Sequence, residues 1–140
     1  MTYISDKLRQ EVRQLAQRRC EYCLLDERCT GRTHEVDHIC AEKHGGETIQ
    51  ANLCLSCFYC NRHKGSDLCA PDNQTGELVA LFNPRQHIWI EHFRLEDAYI
   101  MPLTATGRVT QSLLQINVRE RLEERQIFLM VGRYPVYSAE

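Results

Sequence analysis

Apolar positions along this chain recur in blocks of changing period, and the changes mark out its elements. Near the N-terminus Leu8, Val12, Leu15 and Ala16 fall on one helical stripe behind Ser5, a residue suited to an N-cap. Arg9, Arg13 and Gln17 take the other side, and the pattern predicts a helix from Asp6 to Arg19. From His34 to Cys40 the period drops to two around Val36 and Ile39, a short strand that carries Asp37 and His38. Gly45-Gly46 marks a turn. Ile49 to Leu55 reads as a second strand or a short helix around Asn52, and Asn61 to Asp67 as the first turns of a helix. The first half is therefore strand, loop, strand, helix.

Leu68 to Gly76 gathers Pro, Asp, Asn and Gly and reads as a linker. Beyond it, Leu78 to Phe82 is an apolar run stopped by Asn83-Pro84, and His87 to Phe93 alternates as a strand would. Ala98 to Leu103 is another strand-like run. Thr106 is placed to cap a helix carrying Val109, Leu113, Leu114 and Ile116. Val118 to Val131 predicts a last helix with Leu122, Ile127 and Leu129 or Met130 inward. The fold class expected is α+β, with residues 1–70 as the core and 71–140 as a C-terminal α/β extension packed on it.

Composition narrows this further. A chain of 140 residues with 43% hydrophobic and 26% charged residues suits one globular unit. No apolar run approaches the roughly 18–20 residues of a membrane span, and MTYISDKLRQEVRQ has no apolar signal core, so no membrane role and a cytoplasmic location are expected. Net charge is −2, with ten Lys/Arg against ten Asp/Glu in residues 1–70 and seven against nine in 71–140. A uniformly basic nucleic-acid binder is excluded. Any DNA contact must come from local clusters such as Arg18-Arg19 and Arg62-Lys64, helped by a bound cation.

Eight cysteines are many for a cytosolic chain. Cys20 and Cys23 form one Cys-x-x-Cys pair and Cys57 and Cys60 another, a set suited to a tetrahedral four-thiolate zinc site. The 33 residues between the pairs exceed the about 15–20 of a common zinc ribbon, as expected if the site wraps around another unit. Cys54 also lies three residues before Cys57. Cys57 and Cys60 are preferred because Cys54 sits in an apolar run with Leu53 and Leu55. Cys29, Cys40, Cys54 and Cys69 are then free thiols or small buried hydrophobes.

Between the pairs, Asp37 and His38 are adjacent on an extended segment, where neighbouring side chains take opposite faces. A carboxylate there can hold a hard cation while an imidazole addresses a water from another direction, the parts phosphodiester hydrolysis needs. Together with Asn52, the two knuckles and Asn61-Arg62-His63-Lys64-Gly65, this arrangement over roughly Arg18 to Ser66 resembles the HNH endonuclease family, whose nucleases share a ββα-metal fold. It is similar to stand-alone bacterial members with two Cys-x-x-Cys knuckles. The tail from Leu81 (LFNPR, WIEHF and TGR) resembles that of small cyanobacterial-type HNH proteins.

The resemblance implies a role for each matching residue. His38 is the general base, and Asp37 is a ligand of a catalytic Mg²⁺ or Mn²⁺, with Ni²⁺ or Zn²⁺ as alternatives. Asn52 braces the loop through backbone hydrogen bonds and keeps His38 oriented. Asn61 occupies the position of the family's last metal ligand. Cys20, Cys23, Cys57 and Cys60 hold structural Zn²⁺. His63 is the alternative to Asn61, and its imidazole would tilt the site towards softer metals; positions two apart on a helix do not share a face, so one of the two serves. Arg62 and Lys64 are candidate phosphate contacts. The partner implied is DNA, cut to leave a 3′-hydroxyl and a 5′-phosphate, and the C-terminal half is a candidate homodimer or protein-partner face.

Two other classes fit parts of the pattern. A zinc-stabilised module that binds nucleic acid or protein without catalysis fits the near-neutral charge, but has no need of a base beside a hard-metal ligand. A thiol redox protein leaves Asp37, His38 and Asn52 unexplained. His34, His87, His92 and Trp89 are expected to be structural, and His44 an exposed loop residue.

Overall fold

In the computed structural model, which describes residues 3–135, Ser5 caps α1 (Asp6–Leu15) by accepting a hydrogen bond from the Leu8 amide at 3.2 Å. The helix stops four residues short of the expected Arg19, because Gln17 and Arg18 both take left-handed backbone conformations (φ 56° and 61°). Val12, Leu8 and Ala16 pack with Ile4 against Val36, Leu53 and Leu55. Those last three belong to an antiparallel hairpin of β1 (Glu35–His38) and β2 (Leu53–Ser56). Its register sets Val36 opposite Leu55, Asp37 opposite Cys54, and His38 opposite Leu53. Alternation therefore puts His38 on the face shared with the α1 cluster, and Asp37 with Cys54 on the other.

The segment from Ile49 resolves into both alternatives: a single 3₁₀ turn at Gln50–Asn52 runs straight into β2. The next helix, α2 (Phe58–Lys64), starts three residues before the expected Asn61, with Cys57 as its cap. It packs on β1, and Lys64 reaches across to donate from Nζ to the Ile39 carbonyl at 2.8 Å. The architecture is the strand, strand, helix unit of an α+β fold.

The expected linker at 68–76 is instead structured. β3 (Cys69–Pro71) and β4 (Leu78–Ala80) pair as a hairpin, and Asp72 between them is buried under a bidentate pair with Arg108 (3.0 and 2.9 Å). The strand expected at His87 to Phe93 is a correction too. Trp89–His92 forms one helical turn, α3, and the strand β5 (Phe93–Glu96) begins only at Phe93. Four alternating residues can satisfy either period, and here a local turn and a tertiary contact decide: His87 Nδ1 accepts from the Asn83 amide four residues before it, and Trp89 Nε1 donates to the Tyr22 carbonyl at 2.9 Å.

β5 pairs with β6 (Tyr99–Pro102). The cap of α4 (Ala105–Leu113) is Thr104, not Thr106, since Thr104 Oγ1 accepts from the Gly107 amide at 3.0 Å. The last helix, α5 (Arg119–Met130), keeps Leu122 and Leu129 against the core as expected, but Ile127 and Met130 are exposed and the buried places between go to Arg121 and Arg125. Each buried guanidinium is tied to main chain, Arg125 to the Ala98 and Ile116 carbonyls and Arg121 to that of Leu114. Carbonyl acceptors compensate the burial of charge that hydropathy alone would forbid.

One core unites the two halves of the chain. Tyr22, Leu25, Ile39 and the knuckle cysteines pack with Phe82, Phe93, Ile100, Leu114, Ile116 and Tyr134. Glu21 and Arg85 form a bidentate pair across it (2.6 and 2.8 Å), and Tyr134 donates to the Cys23 carbonyl at 2.8 Å. Among the described residues no helix is long and apolar enough to cross a membrane.

Candidate active site and metal centre

The two Cys-x-x-Cys pairs converge. Among the described residues Cys20, Cys23, Cys57 and Cys60 are the one set of His, Cys, Asp or Glu side chains able to surround a metal, all four buried with sulfurs within 4.8 Å of one another. Cys23 and Cys57 sulfurs are 3.7 Å apart. A tetrahedron with bonds of about 2.3 Å has edges of roughly 3.8 Å, so the spacing fits a zinc thiolate centre and is far too long for a disulfide. Backbone amides of Cys23 and Cys60 point at the sulfurs of Cys20 and Cys57. Cys54 stands outside the set, hydrogen-bonded with the Tyr22 hydroxyl at 3.6 Å, and burial pushes its thiol up to about 12.

A residue the sequence reading passed over completes this centre. Arg121 Nη2 lies 3.0 Å from the Cys60 sulfur and 3.5 Å from that of Cys57, while Nη1 donates to the Leu114 and Gln115 carbonyls. Four thiolates around a divalent ion carry a net charge of −2, and a buried guanidinium offsets half of it. Nothing in the local spacing of α5 signals this, because the sulfurs lie 61 and 64 residues away.

Asp37 and His38 end β1, where the chain enters the loop that returns through Asn52. Asn52 staples that loop. Its Oδ1 accepts from the Cys40 amide at 2.9 Å, and its Nδ2 donates to the Cys40 carbonyl (2.9 Å) and the Glu47 carbonyl (2.8 Å). Gly46 lets the strands of the loop meet: a Cβ there would stand 1.8 Å from the Cys40 oxygen and 2.8 Å from Asn52 Nδ2. Within the braced loop, Thr48 Oγ1 lies 2.9 Å from His38 Nε2. The other ring nitrogen, Nδ1, has no partner among the described residues. Thr48 is the second residue missed from sequence; a lone hydroxyl ten positions from an imidazole gives no signal.

Asp37 and Asn61 share a different property. Both are half-buried, and neither side chain has a hydrogen-bond partner among the described residues. Oxygen donors left unengaged beside a closely tied loop suit a hard divalent cation. Asn61 sits one turn before Lys64, whose amine is fastened to the carbonyl that follows β1. His63 faces elsewhere, into a hollow with Tyr59, Gln115, Val118 and Arg121.

Of the candidate phosphate contacts, Arg62 is exposed, its guanidinium 6.0 Å over the Phe58 ring. Lys64 is corrected: it is buried with its amine spent on Ile39, and so braces the helix instead of meeting solvent. Arg18 is drawn to Glu27 at 3.5 Å. His34 is buried with Nε2 on the Leu25 carbonyl, and His44 is exposed.

No curated protein and no solved structure gives a significant match to this chain. A family model does match, over the segment that begins at the first knuckle cysteine and ends just past α2. That model is the HNH endonuclease family's, and its match over residues 20–67 takes in all four clustered cysteines together with Asp37, His38, Asn52 and Asn61.

Proposed function

We propose that this chain is a metal-dependent endonuclease that hydrolyses DNA phosphodiester bonds, with His38 as general base and a divalent cation on Asp37 and Asn61. The observation that carries the reading is the division of labour at the end of β1: His38 is held by Thr48 through one nitrogen with the other unengaged, while Asp37 and Asn61 keep their oxygens uncommitted. A pure binding module would not need that arrangement.

In the proposed reaction, a water gives a proton to His38 Nδ1 as its oxygen attacks phosphorus. The P–O3′ bond breaks, and the 3′ oxygen takes a proton from water, leaving a 3′-hydroxyl and a 5′-phosphate. The cation, when bound, supplies positive charge against the phosphate and the leaving oxygen. Two oxygen donors favour Mg²⁺ or Mn²⁺ over Ni²⁺ or Zn²⁺ there, and the direction of His63 towards α5 supports Asn61 as the ligand. Asn52 holds the loop that orients His38. Zn²⁺ at the four cysteines has a structural role, consistent with their complete burial.

The test is cleavage of supercoiled plasmid by the purified protein with each metal, beside His38→Ala. Nicking that requires metal and is lost in His38→Ala supports the reading. Equal nicking by both proteins, or none with any metal, would sink it.

A further inference from the structure

The HNH reading leaves one surface of α2 unused. Phe58 and Tyr59 stand in its first turn, 37% and 47% exposed, with their rings edge to face at 5.4 Å. Exposed neighbouring aromatics are costly unless something covers them. The guanidinium of Arg32 lies 4.1 Å over the Phe58 ring, and Arg62 approaches the same ring at 6.0 Å. Beside them is a hollow of about 350 Å³ lined by Phe58, Tyr59, Arg32, Thr30, Gly31 and Glu124. That volume falls in the range of built small-ligand sites. Glu124 is half-buried and its carboxylate makes no hydrogen bond among the described residues.

Its chemistry is that of a nucleobase site. Aromatic rings offer a stacking face, and guanidinium groups stacked on a ring keep their N–H edges free for phosphate or base oxygens. A carboxylate accepts from exocyclic amino groups. The position matters as much: Phe58 precedes Asn61 and Arg62 by three and four residues, so all three share one face of α2. A strand whose phosphate met Asp37 and Asn61 would have its neighbouring nucleotide beside the hollow. Ring faces cannot reach a base that is stacked inside a duplex, so the site has use only for an unpaired one.

Resting on the nuclease reading, we propose that the hollow between Phe58, Tyr59, Arg32 and Glu124 binds one unpaired nucleobase of the substrate strand next to the scissile phosphate. The substrate class is then DNA with unpaired bases at the cut: single strands, gaps or flaps. Glu124 selects cytosine, adenine or guanine, which present amino groups, over thymine.

The test uses the full chain with His38→Ala, so that DNA stays intact, and fluorescence anisotropy with end-labelled oligonucleotides. Single-stranded oligo-dC is expected to bind at least about 10-fold tighter than a paired duplex of equal length. Adding Phe58→Leu should weaken the single strand about 10-fold and leave the duplex unchanged. Glu124→Gln, which keeps the shape, should bring oligo-dC towards oligo-dT. Equal binding of duplex and single strand, or variants that bind as their parent does, would overturn the site. Equal losses on both DNA forms would do so as well. Failure of the nuclease reading shows separately, as absence of plasmid cleavage by the unmodified chain.

Discussion

Asn52→Asp offers the sharpest probe of the link between the loop and His38, the proposed base. The substitution keeps the shape and the Oδ1 contact with the Cys40 amide, but removes both Nδ2 donors. The Cys40 and Glu47 carbonyls then face a carboxylate instead of an amide. Each lost bond with its acceptor stranded costs about 1–3 kcal/mol. Asn52 is only half-buried and water can soften the loss, so about 2–3 kcal/mol for the pair is the working figure. Set against the roughly 5–15 kcal/mol that holds a domain together, the protein stays folded. Thermal unfolding at equal zinc content should fall by about 6–12 °C. Freed from its brace, the loop carrying Thr48 no longer fixes His38, and a misplacement of about 1 Å can cost some 100-fold. Initial nicking rates at saturating plasmid should therefore drop by about that factor. Unchanged melting would refute the staple, and a lower melting temperature with full turnover would refute its link to His38.

Further outcomes follow from other parts of the molecule. Gly46→Ala places a Cβ 1.8 Å from the Cys40 carbonyl and should reproduce the Asn52→Asp pattern, as calorimetry and nicking assays can check. Arg121→Leu leaves the thiolates of Cys57 and Cys60 without their buried cation, so zinc should pass to a chromogenic chelator at least about 10-fold faster, with Arg121→Lys in between. Asp72 is held well below the usual carboxylate range by hydrogen bonds from Arg108; its stabilising effect is present above the unfolded value of about 3.9 and is lost as pH falls towards the folded one. Asp72→Asn should melt lower at pH 7 and lose less on acidification below about pH 4. With its thiol at about 12, Cys54 should resist iodoacetamide at pH 8 in the native protein and react once unfolded, as peptide mass spectrometry would show.

What could be read from sequence was short in range. The strand, loop, strand, helix order and the Cys57-Cys60 choice over Cys54 depend on neighbours within a few residues, and the structure agrees with both. Failures cluster where a distant partner decides. Trp89–His92 turned helical where the Trp89 indole donates to the carbonyl of Tyr22, 67 residues away. On α5 the deeply buried places went to Arg121 and Arg125, not to Ile127 or Met130, because the guanidinium groups found sulfur and carbonyl acceptors that no periodicity reveals. Arg121, set against the cysteine sulfurs, was invisible for the same reason, and Thr48 because a lone hydroxyl in a loop does not show which imidazole it will meet.

The family match ends at residue 67, but the charge that sits against Cys57 and Cys60 arrives only with Arg121. During synthesis all four sulfurs leave the ribosome well before their counterion does. A fragment cut at 67 would keep the four cysteines and every proposed catalytic group, yet lack the guanidinium that sits against two of the sulfurs. In this chain the C-terminal half supplies the positive charge beside the four-cysteine cluster, and transplanting residues 20–67 means carrying α5 along.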